Sequence, residues 1–352
     1  MKPYFVSDLL PGTTIESTFL VRFKERRIDQ GGAAYLALSL QDSSGTIKGR
    51  LWDCDQVPLD FEVDDIVQVN GTVEEHDGTR RILLHSVARC PEQDEPLISV
   101  ADYFPRAAGD PEELYGALLN RVRRMDVGFA KTLLSAVLED PAIARKYKLA
   151  PAATSLHHAY LGGLAEHVAS LVKLGDLLAD HYTWLDRDLL LAGLLLHDLG
   201  KIEELSFERG FHYSTRGQLV GHMAIGLEIV RDKMRGIPGF PAELKDRIEH
   251  MILSHHGRLE FGSPKEPMFP EALLLHYLDD LDSKLESMRA QYAADTHRRG
   301  EWTGRNRALG RELLKRAPHL GDGNSPSGQS GATEPPGESV RTQAEDAPES
   351  PI

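Results

Sequence analysis

The apolar residues change their period once along this chain, and that change limits the fold to two dissimilar parts. From Thr14 to about Cys90 apolar and polar residues alternate, in ESTFLVRFKER, AYLALSLQDSSG, TIKGRLWDC and DDIVQVNGTVEEHDGTRRILLHSVARC. Alternation at period two gives half-buried strands, and the breaks at DSSG, NG and HDGT are turn chemistry. About five strands fit this length, as a small antiparallel barrel or sandwich. A strand-turn-strand at Leu36 to Trp52 and a hairpin about Asp77-Gly78 are compatible with the five-stranded oligonucleotide-binding barrel, the OB-fold. Past a stretch holding Pro91, Pro96, Pro105 and Pro111 the period becomes helical: Leu114, Leu118 and Val122 share one stripe, and Leu133, Val137 and Leu138 another. Helices are expected to continue to about Arg316, so the second part reads as all-α. From Pro318 the chain is rich in Pro, Gly, Ser and Glu with almost no large apolar residues, the composition of a disordered tail. The expected organisation is multidomain: a barrel over 1–92, linker and connecting helices over 93–150, a helical domain over 151–317, and a tail over 318–352.

Composition matters here for what it excludes. Among 352 residues, 40 Lys+Arg against 54 Asp+Glu give a formal charge of −14. Such a chain repels polyanions at long range, which excludes charge-driven nucleic-acid binding of the histone kind, so any such contact must be local. Cys54 and Cys90 are too few for a disulfide framework or a thiolate zinc site, which fits a reducing cytoplasm. The longest greasy run, Leu189 to Leu196, is far short of the ~20 residues that span a bilayer, and MKPYFVSDLL lacks a signal-peptide core. The expected location is therefore cytoplasmic, away from membranes.

The histidines gather between His157 and His276. Five islands place a ligand-type side chain inside an apolar helical stretch: GGLAEHVASL with His167, LLLHDLGK with His197 and Asp198, LVGHMAIG with His222, MILSHHGRLEFGSP with His255 and His256, and LHYLDDLDSK with Asp279. A lone histidine on an apolar face is ordinarily a satisfied core residue. Several buried imidazoles and carboxylates are another matter, since each is costly unless hydrogen-bonded, paired or bound to metal. His197 and Asp198 are adjacent and can both face one ion, with Gly200 expected to end the helix. Lys201, three residues after Asp198, is positioned to meet a phosphate oxygen as charge develops, and Arg258 is a second candidate for that task.

In order and residue type these islands resemble the HD-domain metal-dependent phosphohydrolases. The resemblance implies one metal site from His167, His197, Asp198 and Asp279, and a second, bridged by Asp198, from His222, His255 and His256. Spacing alone does not separate Asp279 from Asp280 or Asp282 as the closing ligand; Asp279 matches the family position. Two divalent ions would lower the pKa of a shared water to give the attacking hydroxide, hold a phosphate in line and stabilise the leaving oxygen. Mixed histidine and carboxylate ligation favours Mn, with Fe, Co, Ni or Zn as alternatives, over Mg.

An oligonucleotide-type barrel joined to an HD domain resembles the YhaM family of bacterial exoribonucleases. GRLWD at Gly49 to Asp53, HHAYLGGLAEHV at His157 to Val168, LLHDLGKIEEL at Leu195 to Leu205, the SHHG-LEFGSP island and EALLLHYLDDLDSKL at Glu271 to Leu285 carry that likeness. It implies a 3′-to-5′ exoribonuclease acting on single-stranded RNA, with single-stranded DNA as a further substrate and a homo-oligomer as an open option. The alternative with the same metals is a hydrolase of small nucleotides or cyclic dinucleotides. The barrel is not basic, with 10 Lys+Arg against 15 Asp+Glu in residues 1–92. Stacking can offset part of that: Phe23, Tyr35 and Trp52, with Arg22 and Arg50 nearby, are candidates for a base platform. A clearer basic patch runs from His297 to Arg316, where seven Lys/Arg face two Asp/Glu, with Arg305 and Arg311 as candidate backbone contacts.

Overall fold

Five strands close on one another where the sequence alternates. They are β1 (Thr14–Ile28), β2 (Ala34–Asp42), β3 (Gly45–Trp52), β4 (Ile66–His76) and β5 (Thr79–Arg89), in the closed order β1-β2-β3-β5-β4. The computed structural model describes residues 2–29, 31–54, 59–76, 79–90, 102–104, 109–153, 160–206, 212–295, 298 and 300–315. Most of the Pro-rich linker, the Asp77-Gly78 turn, His157, His158, His297 and the tail from Pro318 lie outside the described residues.

β1 is long enough to serve two neighbours. Its first half, from Thr14 to Leu20, pairs with β4, and its second, from Leu20 to Ile28, pairs with β2, with a register shift between Val21 and Phe23 where the strand bends. The chain lays β4 beside β1 before returning as β5, so β5 meets β3 in parallel, from Lys48 opposite Arg81 to Leu51 opposite Leu84. That one parallel pair departs from a purely antiparallel barrel and is what closes this five-stranded Greek-key type. Alternate residues fill the interior: Phe19, Leu36, Leu40, Val67, Val69 and Ile82 are buried. Gly71 sits at a register shift in β4, where a side chain would collide with Ile82 and the Leu83 carbonyl.

The second part is built from α1 (Pro111–Arg123), α2 (Phe129–Leu138), α3 (Pro141–Leu149), α4 (Gly163–His181), α5 (Arg187–Leu196), the single turn α6 (Lys201–Glu204), α7 (Thr215–Val220), α8 (His222–Arg235), α9 (Ala242–Ser254) and α10 (Pro270–Ala294). Asp110, Asp140 and Asp186 cap α1, α3 and α5 by accepting from first-turn amides, and Pro111 and Pro141 occupy the turn that needs no donor. α5, RDLLLAGLLL, is buried from Leu189 to Leu196 and packs against α2, α4, α9 and α10. A helix apolar all round belongs at the centre of a bundle, and this one carries the His-Asp pair at its end.

Two small hairpins interrupt the helices: β6 (Leu205–Ser206) with β7 (His212–Tyr213), and β8 (Trp302–Asn306) with β9 (Arg311–Leu314). The second corrects the expectation of helix to about Arg316. Gly300 at φ +95 and Gly310 at φ +65 adopt the left-handed conformation that stops a helix and turns a strand. Buried Thr303, Asn306 and Leu313 then dock the hairpin, with Asn306 donating to the Ser287 carbonyl of α10 at 3.1 Å.

Candidate metal centre

Each histidine of the five islands is fixed by a hydrogen bond at Nδ1. His197 and His255 lie just past the ends of α5 and α9, and each uses Nδ1 on a carbonyl of its own last turn, Leu194 at 3.0 Å and Ile252 at 2.8 Å. His167 of α4 pairs Nδ1 with Asp282 at 2.8 Å, and Asp282 also accepts from Ser170 at 2.6 Å. His222, the first residue of α8, has both its amide and its Nδ1 on Glu204, at 2.9 and 3.1 Å. His256 uses Nδ1 on the Phe261 carbonyl at 3.2 Å. With Nδ1 engaged, all five rings present Nε2 as the remaining nitrogen, the arrangement by which carboxylates and carbonyls orient metal-binding imidazoles.

Those nitrogens converge in two groups, His167 with His197 and Asp279, and His222 with His255 and His256; within each, one donor atom per residue lies within 4.8 Å of the others. Asp198 stands between them. Its Oδ2 is 3.4 Å from His197 Nε2 and 3.9 Å from His167 Nε2, while its Oδ1 is 3.6 Å from His222 Nε2 and 3.7 Å from His255 Nε2. Asp279 Oδ1 lies 3.2 Å from His167 Nε2. Asp282 sits behind His167 and orients it, and Asp280 pairs with Lys284 at 2.6 Å, so of the three acidic residues only Asp279 joins a group.

Glycines set this convergence. Gly221 (φ +76) admits the chain into α8, and Gly200 lies so close to α8 that a side chain would collide with the His222 carbonyl. Gly200 has ordinary helical angles, so its part is close approach rather than the helix ending expected from the sequence.

The electrostatics follow from burial and proximity. Burial pushes the carboxyls of Asp198 and Asp279 up, but their neighbours outweigh it and hold both well below the usual range: the Lys201 ammonium and the adjacent His197 ring for Asp198, and the bond to His167 for Asp279. Burial, reinforced by adjacent imidazoles, pushes His255 and His256 down, which keeps them neutral as ligation requires. His167 is pulled down by burial yet raised to about 9 by its bonds to Asp279 and Asp282. Among the described residues, buried His197 Nε2 and Asp198 Oδ1 have no hydrogen-bond partner. An orphaned buried polar atom costs about 1–3 kcal/mol, and here one stands at each group with its lone pair toward the centre. These residues therefore fit divalent cations by donor type, by orientation and by unmet demand.

A cavity of about 370 Å³ opens onto the centre, edged by Lys201, Tyr213, His222, His256, Phe261 and His276 among others. Lys201 Nζ is 2.6 Å from Asp198 Oδ2; burial disfavours its charge, but Asp198 and Asp279 outweigh this and raise its pKa. Arg258 is absent from that lining; its exposed guanidinium lies 3.2 Å from Glu260. Arg305 and Arg311 are exposed on β8–β9 and are not among the residues that line this cavity. On the barrel, Tyr35 and Trp52 are cross-strand partners with ring centroids 5.2 Å apart, and Arg50 stacks 4.4 Å from the first and 5.3 Å from the second. Phe23 is 42% exposed, whereas Arg22 is held by Asp64 at 2.7 Å and does not join them. The sequence reading missed Glu204, Ser170 and the orienting part of Asp282, because the contacts that define them span 18 to 115 residues.

Comparison with known proteins agrees with this geometry. Residues 164–284 match the HD domain family. The 3′-5′ exoribonuclease YhaM of Bacillus subtilis is 34% identical over 302 residues, covering 85% of this chain and 93% of that protein. The protein of the same name from a Geobacillus species is 34% identical over 301 residues, covering 85% and 90%. Among solved structures, the second OB-fold domain of replication protein A from Methanococcus maripaludis aligns with 25% of this chain and 95% of its own length, at 22% identity and a TM-score of 0.22. No described helix is long and apolar enough to cross a membrane. Similarity to the curated relatives runs through both the strand-rich and the helical part, and the chain belongs to the YhaM family of 3′-5′ exoribonucleases.

Proposed function

We infer that this chain is a metal-dependent 3′-to-5′ exoribonuclease that binds two divalent ions, manganese by preference, and acts on single-stranded RNA. The observation that carries this reading is the bridging placement of Asp198 between two histidine groups, in a chain that matches exoribonucleases over most of its length. His167, His197, Asp198 and Asp279 would hold one ion, and His222, His255, His256 and the other oxygen of Asp198 the second. Divalent ions so held supply Lewis acidity toward a phosphodiester and activate water for its hydrolysis.

The chain's own residues do the rest. The Nδ1 bonds fix the imidazole tautomers, so no reorientation is needed when charge develops. Lys201, cationic and at the cavity wall, faces the phosphate oxygens that gain charge. Tyr35, Trp52 and the arginine stacked on them offer π faces to bases without choosing among them, which suits a single-strand enzyme that does not select sequence. Arg305 and Arg311 extend the path as backbone contacts. Two buried free cysteines fit a reducing cytoplasm, and assembly into a homo-oligomer is compatible with this reading.

The test is a time course of 5′-labelled single-stranded RNA with Mn²⁺, beside Asp198→Ala and a matching DNA strand. A ladder that shortens from the 3′ end and vanishes in the variant supports the reading. Intact RNA under Mn, Fe, Co, Ni and Zn, with turnover of mononucleotides or cyclic dinucleotides, would replace it with the small-nucleotide hydrolase.

A further inference from the structure

His276 is built like the five converging histidines but belongs to neither group. Its Nδ1 lies 2.9 Å from the His255 carbonyl and so carries the proton in the neutral ring, which leaves Nε2 with a lone pair. The ring packs on Gly257, whose φ of +81 disfavours other residues and where a Cβ would collide with the imidazole. Backbone bond and glycine together fix this ring at the wall of the cavity that opens on the metal groups. Two exposed rings edge the same cavity, Tyr213 at 46% and Phe261 at 60% exposed. Phe261 is tied to the centre through its carbonyl, which His256 engages.

We propose that this wall is the seat of the RNA's terminal nucleoside, with His276 Nε2 accepting a hydrogen bond from a sugar hydroxyl and Tyr213 and Phe261 stacking on the base. A fixed acceptor outside the ligand groups calls for a donor that is neither cation nor phosphate, and the sugar hydroxyls are the donors adjacent to the scissile linkage. Aromatic faces hold any base, so the seat recognises a ribonucleoside without reading sequence. The inference rests on the exoribonuclease reading for its choice of ligand, and the experiment below separates the two.

The probe is a nucleoside 5′-monophosphate, the unit such an enzyme would release. Affinities of the metal-loaded full chain for AMP, 2′-deoxy-AMP, 3′-deoxy-AMP and ribose 5-phosphate are measured by calorimetry for wild type, His276→Asn and Phe261→Ala, with the RNA ladder run on the same samples. Asparagine keeps a donor near Nδ1 for the His255 carbonyl and removes the acceptor at Nε2, and metal content and Tm report that the turn survives. The expected result is that one deoxy analogue binds wild type about tenfold more weakly than AMP, a difference that collapses to within about twofold in His276→Asn. Which analogue it is assigns the hydroxyl. Ribose 5-phosphate should bind wild type more weakly than AMP and Phe261→Ala almost equally with it. Equal affinity of wild type for AMP and both deoxy analogues, unchanged discrimination in His276→Asn, or no AMP binding at millimolar concentration overturns the seat. Discrimination without a ladder keeps the seat and refutes the exoribonuclease reading instead.

Discussion

The metal centre and the aromatic patch of the barrel, both proposed to serve one RNA strand, are built in opposite ways. In the centre every imidazole has its inner nitrogen bonded, Asp198 and Asp282 each serve more than one partner, and His167, His197, Asp198 and His255 are buried. On the barrel, Tyr35, Arg50 and Trp52 are half-buried, and their side chains stack on one another. A site that must fix cations to fractions of an ångström needs an over-determined shell, whereas one that must let bases slide needs faces without fixed donors. Substitutions should therefore act on turnover in the first and on affinity in the second.

The largest effect belongs to Asp198→Ala. The residue serves both histidine groups, and loss of one member of a catalytic unit costs on the order of 10⁴-fold or more. Steady-state kinetics on a short RNA should show that fall in kcat, while RNA affinity measured by anisotropy changes little. A matching loss of affinity would mean that the centre and the barrel are not separate in function. One shell further out, Asp282→Asn keeps the size of the carboxylate but weakens its hold on His167 Nδ1. Metal affinity should fall about 10–100-fold, with activity recovered at high Mn²⁺. Failure of excess metal to restore turnover would place Asp282 in the chemistry rather than behind it.

On the barrel side, Trp52→Ala removes one face of the platform and the ring that flanks Arg50. Base stacking contributes about 1–3 kcal/mol, so KM for a long RNA should rise roughly tenfold with kcat held. A dinucleotide, too short to reach the barrel and the centre together, should be cleaved as by wild type. A change in dinucleotide turnover would show that the barrel acts on the centre and not on the strand.

How much of this was legible in the sequence follows from the range of each contact. The barrel was readable because alternation is local, and so was the His-Asp pair, whose members are adjacent. What escaped depends on distant partners. Glu204 and Ser170 are unremarkable within their own segments and acquire their parts only from His222 and Asp282, 18 and 112 residues away. Gly200 looked like a helix stop because glycine often is one, while its actual constraint is the backbone of α8 lying against it. His276 shares the LHYLDDLDSK stretch with Asp279, but nothing local distinguishes a ring at a cavity wall from one in a core. In the basic stretch after α10 the arginines suggest an exposed helix, whereas Gly300 and Gly310, both at positive φ, decide for a hairpin.

That hairpin carries the smallest effect and tests whether the two regions are joined by a continuous track. The net charge of −14 opposes RNA at long range, so a local positive strip has to supply the attraction. Most arginines elsewhere in the described surface, such as Arg121, Arg187, Arg216, Arg231 and Arg289, are engaged by carboxylates within 4 Å, while the guanidiniums of Arg305 and Arg311 sit on exposed strand positions of β8–β9. If both neutralise phosphates, Arg305→Gln with Arg311→Gln should flatten the slope of log K against log salt by about 1.4, since each single-strand contact adds about 0.7. The double variant should then lose affinity most at low salt, with kcat and dinucleotide cleavage unchanged. An unaltered salt slope would mean that the strand passes from the barrel to the cavity by another face, and that the hairpin's charge serves only to balance the acidic surface around it.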